Sequence, residues 1–222
     1  MIPALIIWLV KKILQKENRL FYLKLLLQRI IPALLCTLFF FTLSAQQVTH
    51  TYVVKYKDDS VGNMQFLLNR LGDDVSLKMT SRVAMRFIVS IDVQSGEEAM
   101  FKNGRLIRSK SWRKVNGKQK VNNATWAAGD VYETSCDDKR GCIRQKLIDY
   151  NFLMLYASEP LSGRTVYSDN FQQFLPIQKV ATHQYKIELP DGNYNYYFFK
   201  DGICNKVEVH HSFYTITMLL KQ

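Results

Sequence analysis

The chain has 222 residues, 30 basic and 19 acidic, with a formal net charge of +11 and 13% aromatic residues. Six of the bases and one acid fall in residues 1–45, so residues 46–222 carry a net charge of only +6. With no nucleic-acid-binding motif beside it, that modest excess excludes a nucleic-acid partner; the remaining length suits one domain with a sizeable core.

Taken from the N-terminus, the first element predicted is a secretory signal. Residues 30–43 (IIPALLCTLFFFTL) are uncharged, follow the bases Lys11, Lys12, Lys16, Arg19, Lys24 and Arg29, and lead into Leu43-Ser44-Ala45. A basic region, a short apolar run and a small-residue exit mark a segment removed after Ala45. A spanning helix wants about 20 apolar residues, so a retained anchor is the alternative. Residues 1–20 add a second apolar run, an over-long extension explained by a start set too far upstream or by a double anchor. Residues 46–222 are then an exported domain of the periplasm or outer membrane.

Within that domain, turn signals recur every eight to fourteen residues over much of the chain, from Asp58-Asp59 to Asp201-Gly202. Between them run short segments rich in Val, Ile, Thr, Tyr and Phe, such as TYVVKY (51–56), YNYYFF (194–199) and FYTITML (213–219). This spacing predicts an antiparallel β half-barrel or barrel, a meander of hairpins. Asn103-Gly104 and Asn116-Gly117 suit type I′ turns, which need φ > 0 at both central residues. Two-residue turns pair Phe101 with Leu106, Ala99 with Arg108, Glu97 with Lys110 and Trp112 with Val121, and put Leu106, Arg108, Lys110, Trp112 and Lys114 on one face. Residues 101–120 hold eight bases and no acid. The resulting basic stripe (Arg105, Arg108, Lys110, Arg113, Lys114, with Lys118 and Lys120) either contacts an anionic envelope surface or is a solvated face that keeps the sheet from pairing with other chains.

Cys136 and Cys142 flank DDKRG, a polar loop across which a disulfide would fit an exported protein; two unrelated thiols are the alternative. One segment breaks the strand pattern. In LIDYNFLMLYASEP (147–160), Ile148, Phe152, Leu155 and Tyr156 recur at helical spacing, predicting one α-helix packed on the sheet. The Asp201-Gly202 hairpin pairs Tyr196 with Val207 and Tyr194 with Val209, which puts Tyr194, Tyr196, Phe198, Val207 and Val209 on the core face.

Taken in order, FKNGRLIRSKSWRKVNGK, the YASEP segment, VYSDNF, YKIELPDGNYNYYFFKDG and VEVHH resemble an exported bacterial (Bacteroidetes-type) family catalogued as a domain of unknown function, number 6134. The resemblance spans roughly residues 50–220 and implies a fold without an assigned activity. The strand order is loosely similar to periplasmic lipid-carrier and lipocalin-like half-barrels, by analogy only.

The residues themselves offer little chemistry. His210 and His211 are adjacent in a strand and point to opposite faces, and His50 and His183 stand alone, so no metal site is expected. No nucleophile elbow or glycine-rich phosphate loop appears, and no cofactor is expected. The leading expectation is a non-catalytic protein that binds an apolar or amphipathic, lipid-like molecule in the concave face of the sheet. Phe152, Leu155, Tyr156, Tyr194, Tyr196 and Phe198 are its cavity candidates. The alternatives are an envelope scaffold whose core is filled by its own side chains and, more weakly, a hydrolase with an unrecognised site. The sequence leaves ligand identity and oligomeric state open.

Overall fold

The structure, a computed structural model, describes residues 7, 8, 11, 46–86, 90–137, 139–144 and 147–221. The leader expected over residues 1–45 lies outside the described residues apart from Ile7, Trp8 and Lys11. No described helix is long and apolar enough to cross a membrane. The chain divides between Ser44 and Ala45, and the second unit is the strand-rich domain.

Eight strands follow one another as hairpins: β1 (Gln46–Tyr56), β2 (Asp59–Leu71), β3 (Asp74–Arg86), β4 (Ser90–Lys102), β5 (Arg105–Val115), β6 (Lys118–Ala128), β7 (Val131–Cys136) and β8 (Lys139–Ile143). A long crossing carries the helix α1 (Met154–Ala157) and the two-stranded ribbon of β9 (Thr165–Ser168) and β10 (Gln173–Pro176). After it come β11 (Gln178–Ala181), β12 (Gln184–Glu188), β13 (Tyr194–Lys200), β14 (Ile203–His211) and β15 (Tyr214–Leu220). β15 pairs antiparallel with β1, so the two meanders join into one sheet running from β11 through β15, β1 and on to β8. The sheet is not closed, which makes the molecule the half-barrel form of the expected fold.

The tight turns form where the sequence demands them. Asn103 and Gly104 have φ of 49° and 72°, Asn116 and Gly117 50° and 77°, and Asp201 and Gly202 53° and 77°. Both central residues therefore take the left-handed conformation of a type I′ turn, which Asn, Asp and Gly tolerate best.

Beyond the turns, the pairing departs from two-residue arithmetic, because one extra residue sits close to each of these three turns. The register shifts at Ile107 opposite Met100/Phe101, at Lys120 opposite Arg113/Lys114 and at Asn205 opposite Phe198/Phe199. Similar bulges lie just after the β1–β2 turn and just before the β11–β12 turn. A bulge adds a residue to one strand, bends it and increases its twist, which curls a long sheet. It also reverses the faces beyond it. Glu97 consequently pairs with Ser111 and Ala99 with Ser109, not with Lys110 and Arg108. Trp112 faces Asn122, and Tyr196 faces Glu208 where Val207 was expected. Leu106 is buried while Arg108, Lys110 and Lys114 are exposed, so Leu106 is not part of the stripe.

The concave face is filled by the crossing segment. Ile148, Leu153, Leu155, Val166 and Tyr167 are inaccessible to solvent and pack on Tyr52, Phe66, Leu77, Leu106 and Val207 of the sheet. The helix expected across residues 147–160 shrinks to four residues. The reason lies in the backbone: Tyr167 N donates to Tyr150 O (2.9 Å) and Phe152 N to Tyr167 O (3.2 Å), a parallel bridge that uses groups a longer helix would need. Apolar spacing alone does not separate a helix from an irregular segment buried on all sides. Tyr156, on the helix, meets Tyr52 edge-on at 5.6 Å and also contacts Phe66 (5.8 Å) and Tyr197 (6.3 Å).

Phe66→Ala should therefore cost about 3–5 kcal/mol of stability, the range for emptying a buried aromatic site. Phe198→Ala should cost far less, because Phe198 is half-buried on the opposite face beneath Lys206 Nζ, 3.7 Å from its ring centre. Urea unfolding of the two variants measures the difference.

Candidate functional site

The six cavity candidates separate into two groups. Leu155 and Tyr156 are buried in the concave core and Phe152 is half-buried beside them, against Tyr197 at 6.4 Å. Tyr194, Tyr196 and Phe198 lie on the convex face with Lys206, Glu208 and His210; the bulge at Asn205 brings Val207 and Val209 to the core instead, opposite Tyr197 and Asn195. There the rings pack on one another, with Tyr194 stacked on His210 at 4.6 Å. The concave lipid cavity expected from these residues is therefore not assembled. Their shared face depended on a register that the bulge shifts.

The basic stripe divides as well. Arg108 and Lys110, on the convex face, line a groove of about 390 Å³ with Ser76, Glu98, Met100, Ala124 and Trp126. Glu98 is paired with Lys78 at 2.7 Å, an exposed ion pair. Arg113 points to the concave side, where its Nη2 donates to Asn170 Oδ1 (3.3 Å). Arg105 reaches across to the β6–β7 hairpin, over the Tyr132 ring and onto Gly129 O. Lys114 is exposed on the convex face. A second cleft, about 490 Å³, is lined by Leu71, Val75, Met100 and Ile107 with Arg70 and Lys102. Both clefts include Ser76 and Met100, so they adjoin.

The concave side carries one polar cluster that sequence reasoning missed. Asp169, between β9 and β10, is 4% exposed and accepts from Ser109 Oγ and from Asn151 Nδ2 (2.9 Å). Asn123 Nδ2 donates to the backbone carbonyls of Asn170 (2.8 Å) and Asp169 (3.3 Å). Glu97 faces the same region, with Ser111 Oγ at 3.5 Å. Surrounded by protein but touching a small cavity, Glu97 has a carboxyl pushed up to about 7, first by burial and then by the charge of Asp169; Ser111 and Arg113 act against the shift. Burial raises Asp169 to about 6, opposed by the hydrogen bonds from Ser109 and Asn151. Glu97 faces inward because it alternates with the buried Ala99 and Phe101 along β4, while Glu98 falls with the exposed Met100. The bulge at Ile107, on the neighbouring strand, decides that Ser111 and not Lys110 lies opposite Glu97.

Cys136 and Cys142 do not form the expected bridge; both are free and exposed, and Cys204 is free and buried. Cys136 pairs with Lys139 and Cys142 with Glu133. The thiols are thus three residues out of register, about 10 Å apart along the strands at ~3.4 Å per residue, and on opposite faces. That separation exceeds disulfide reach. The turn closes tightly after Cys136, so the loop is too short to bring the two cysteines opposite each other. Among the described residues, no group of three or more His, Cys, Asp or Glu side chains could hold a metal ion.

With this geometry in place, comparison with known proteins assigns the family. Residues 52–221 match the family described as Domain of unknown function (DUF6134). The chain belongs to that family. No curated protein matches it. Among solved structures, the DUF6134 domain is similar to a β-barrel-like protein of domain of unknown function DUF1849 from Brucella abortus. The two are 10% identical with a TM-score of 0.50, over 81% of this chain and 97% of the other. At that identity the likeness concerns the fold alone.

Two measurements test this geometry. A carboxyl that binds its proton more tightly in the folded chain adds stability in full below its unfolded value and loses it as pH rises through the folded one. For Glu97 the window runs from about 4.5 to about 7 and for Asp169 from about 3.8 to about 6. The urea midpoint should fall between about pH 4 and about pH 8, and Glu97→Gln should flatten the upper part of that decline. In a maleimide pulse without reductant, Cys136 and Cys142 should label at once and Cys204 only on unfolding, because burial also pushes its thiol up to about 12. A bridged peptide joining Cys136 to Cys142 would contradict the observed register.

Proposed function

We propose that this DUF6134 domain is an exported envelope protein that binds an anionic amphipathic molecule, lipid-like in chemistry, across the two adjoining clefts. The observation that carries this reading is the juxtaposition of two unlike surfaces. Arg108 and Lys110 line the first cleft, with the amphipathic ring of Trp126 beside them. The second cleft offers Leu71, Val75, Met100 and Ile107, with Leu71 54% and Met100 38% exposed. Cations suit an acidic head group, the apolar wall suits a short stretch of hydrocarbon, and each cleft is within the range of roughly 300–1,000 Å³ usual for small-molecule sites. The basic, apolar, small-residue order of residues 11–45 supports export.

A second reading, an envelope scaffold without a ligand, draws support from the filled concave face, where the crossing segment leaves the sheet's interior occupied by the chain itself.

Calorimetric titration of the full chain with monomeric dihexanoylphosphatidylglycerol, against the phosphatidylcholine analogue, separates the two readings. Preference for the anionic lipid is expected, with a loss of at least tenfold in affinity, about 1.4 kcal/mol, in the Arg108→Glu, Lys110→Glu double variant. Equal binding of both lipids, an unaffected double variant or no binding would leave the scaffold reading standing.

A further inference from the structure

A cavity distinct from these two clefts lies on the concave side, between β4, β5, β13 and the crossing segment. It measures about 210 Å³ and its lining includes Glu97, Ser111, Phe152, Phe171, Leu189 and Asn195. Its hydrogen-bonding character is one-sided. Glu97 receives one long contact from Ser111, at 3.5 Å, which leaves most of its acceptor capacity unused. Asn195 donates its Nδ2 to Tyr197 Oη (3.3 Å), while its Oδ1 is buried with no partner in the protein. Buried acceptors without donors are costly and mark places where a donor belongs. Three aromatic residues, Trp112, Phe152 and Phe171, also line the cavity, and the face of such a ring attracts a cation. Among the described residues that line it, Arg113 is the one cation, and it is exposed and engaged with Asn170.

We infer that this cavity binds a primary ammonium group, either of a small amine or of the head of a larger ligand. Three N–H donors on a compact cation meet the carboxylate of Glu97, the orphan Oδ1 of Asn195 and a serine hydroxyl, and the organic remainder rests against Phe152, Phe171 and Leu189. The volume, below the roughly 300–1,000 Å³ of drug-sized sites, admits such a group and little more. Electrostatics favour the same occupant. Besides Asp169, Arg113 and the Ser111 hydroxyl, the groups felt at Glu97 are Tyr156 and Tyr197, both neutral phenols held so by burial. A bound ammonium therefore adds to the partial compensation that Arg113 gives the two neighbouring carboxyls, and holds Glu97 ionised.

The test is calorimetric titration of the full chain near neutral pH with benzylamine, with benzyl alcohol as the neutral isostere and calcium chloride as a competitor. Benzylamine is expected to bind one to one, at least tenfold tighter than benzyl alcohol. Glu97→Gln should weaken it at least tenfold. Glu98→Gln, altering the neighbouring acid on the convex face, should leave it unchanged. Asn195→Leu, which removes the orphan acceptor while keeping the acid, should weaken it at least threefold and serves if Glu97→Gln does not fold, as circular dichroism would show. The inference is overturned if the alcohol binds as well as the amine, if neither binds, if Glu97→Gln and Asn195→Leu bind normally, or if calcium displaces the amine and so claims the site for a metal ion.

Discussion

The structure depends on the filling of its concave face by the segment between β8 and β11. An open sheet of this length would otherwise expose an apolar face to water, and a sheet must bury that face against a second layer. The segment supplies Ile148, Leu153, Leu155, Tyr156, Val166 and Tyr167 to the half-barrel's interior. Each fully buried apolar side chain contributes roughly 1.5–3 kcal/mol, so the crossing acts as the core's missing half. Its backbone is tied in as well: Leu106 N donates to Ile148 O at 2.8 Å, and Ile148 N to Tyr132 Oη at 3.1 Å. The polar clasp around Asp169 fixes the other end against β5 and β6 through Ser109 and Asn123.

Curvature and chemistry share one cause in the bulges. A flat sheet would not wrap the crossing segment, and single extra residues near the hairpin turns bend and twist the strands. The same insertions choose which side chains face inward. Ile107 sends Ser109 and Ser111 to the concave side and Arg108 and Lys110 to the convex one. Asn205 turns Val207 inward and leaves Tyr194, Tyr196 and Phe198 outside. A half-turn of side-chain phase thus separates a basic, partly apolar convex surface from an acidic interior.

Two kinds of surface result, and they differ in what they can recognise. The two adjoining clefts combine cations with exposed hydrocarbon, where attraction between charges is long-ranged and screened by salt. The concave cavity is small and rich in acceptors, and burial disfavours the charged form of Glu97, a cost that a cationic donor beside it would offset. Recognition there rests on hydrogen bonds in a poorly hydrated setting, where an unmade bond is penalised most.

Much of this architecture is legible in the chain alone. The regular spacing of turn residues gives an antiparallel meander because Asn-Gly and Asp-Gly can reverse a chain with φ > 0 and most other pairs cannot. The alternation of Tyr, Val and Phe with polar residues gives strands, and the break in alternation after residue 146 marks the segment that is not part of the sheet. Those are local properties, set by the backbone preferences of a few adjacent residues. What only the tertiary structure decided was phase and closeness. Whether Glu97 meets Lys110 or Ser111, whether Tyr196 meets Val207 or Glu208, and whether Cys136 meets Cys142 or Lys139 each turn on small changes in register, which leave almost no trace in composition or period. The closeness of Glu97 to Asp169, far apart in the chain, depended on the crossing segment folding back into the sheet, a proximity determined by burial of the whole apolar face.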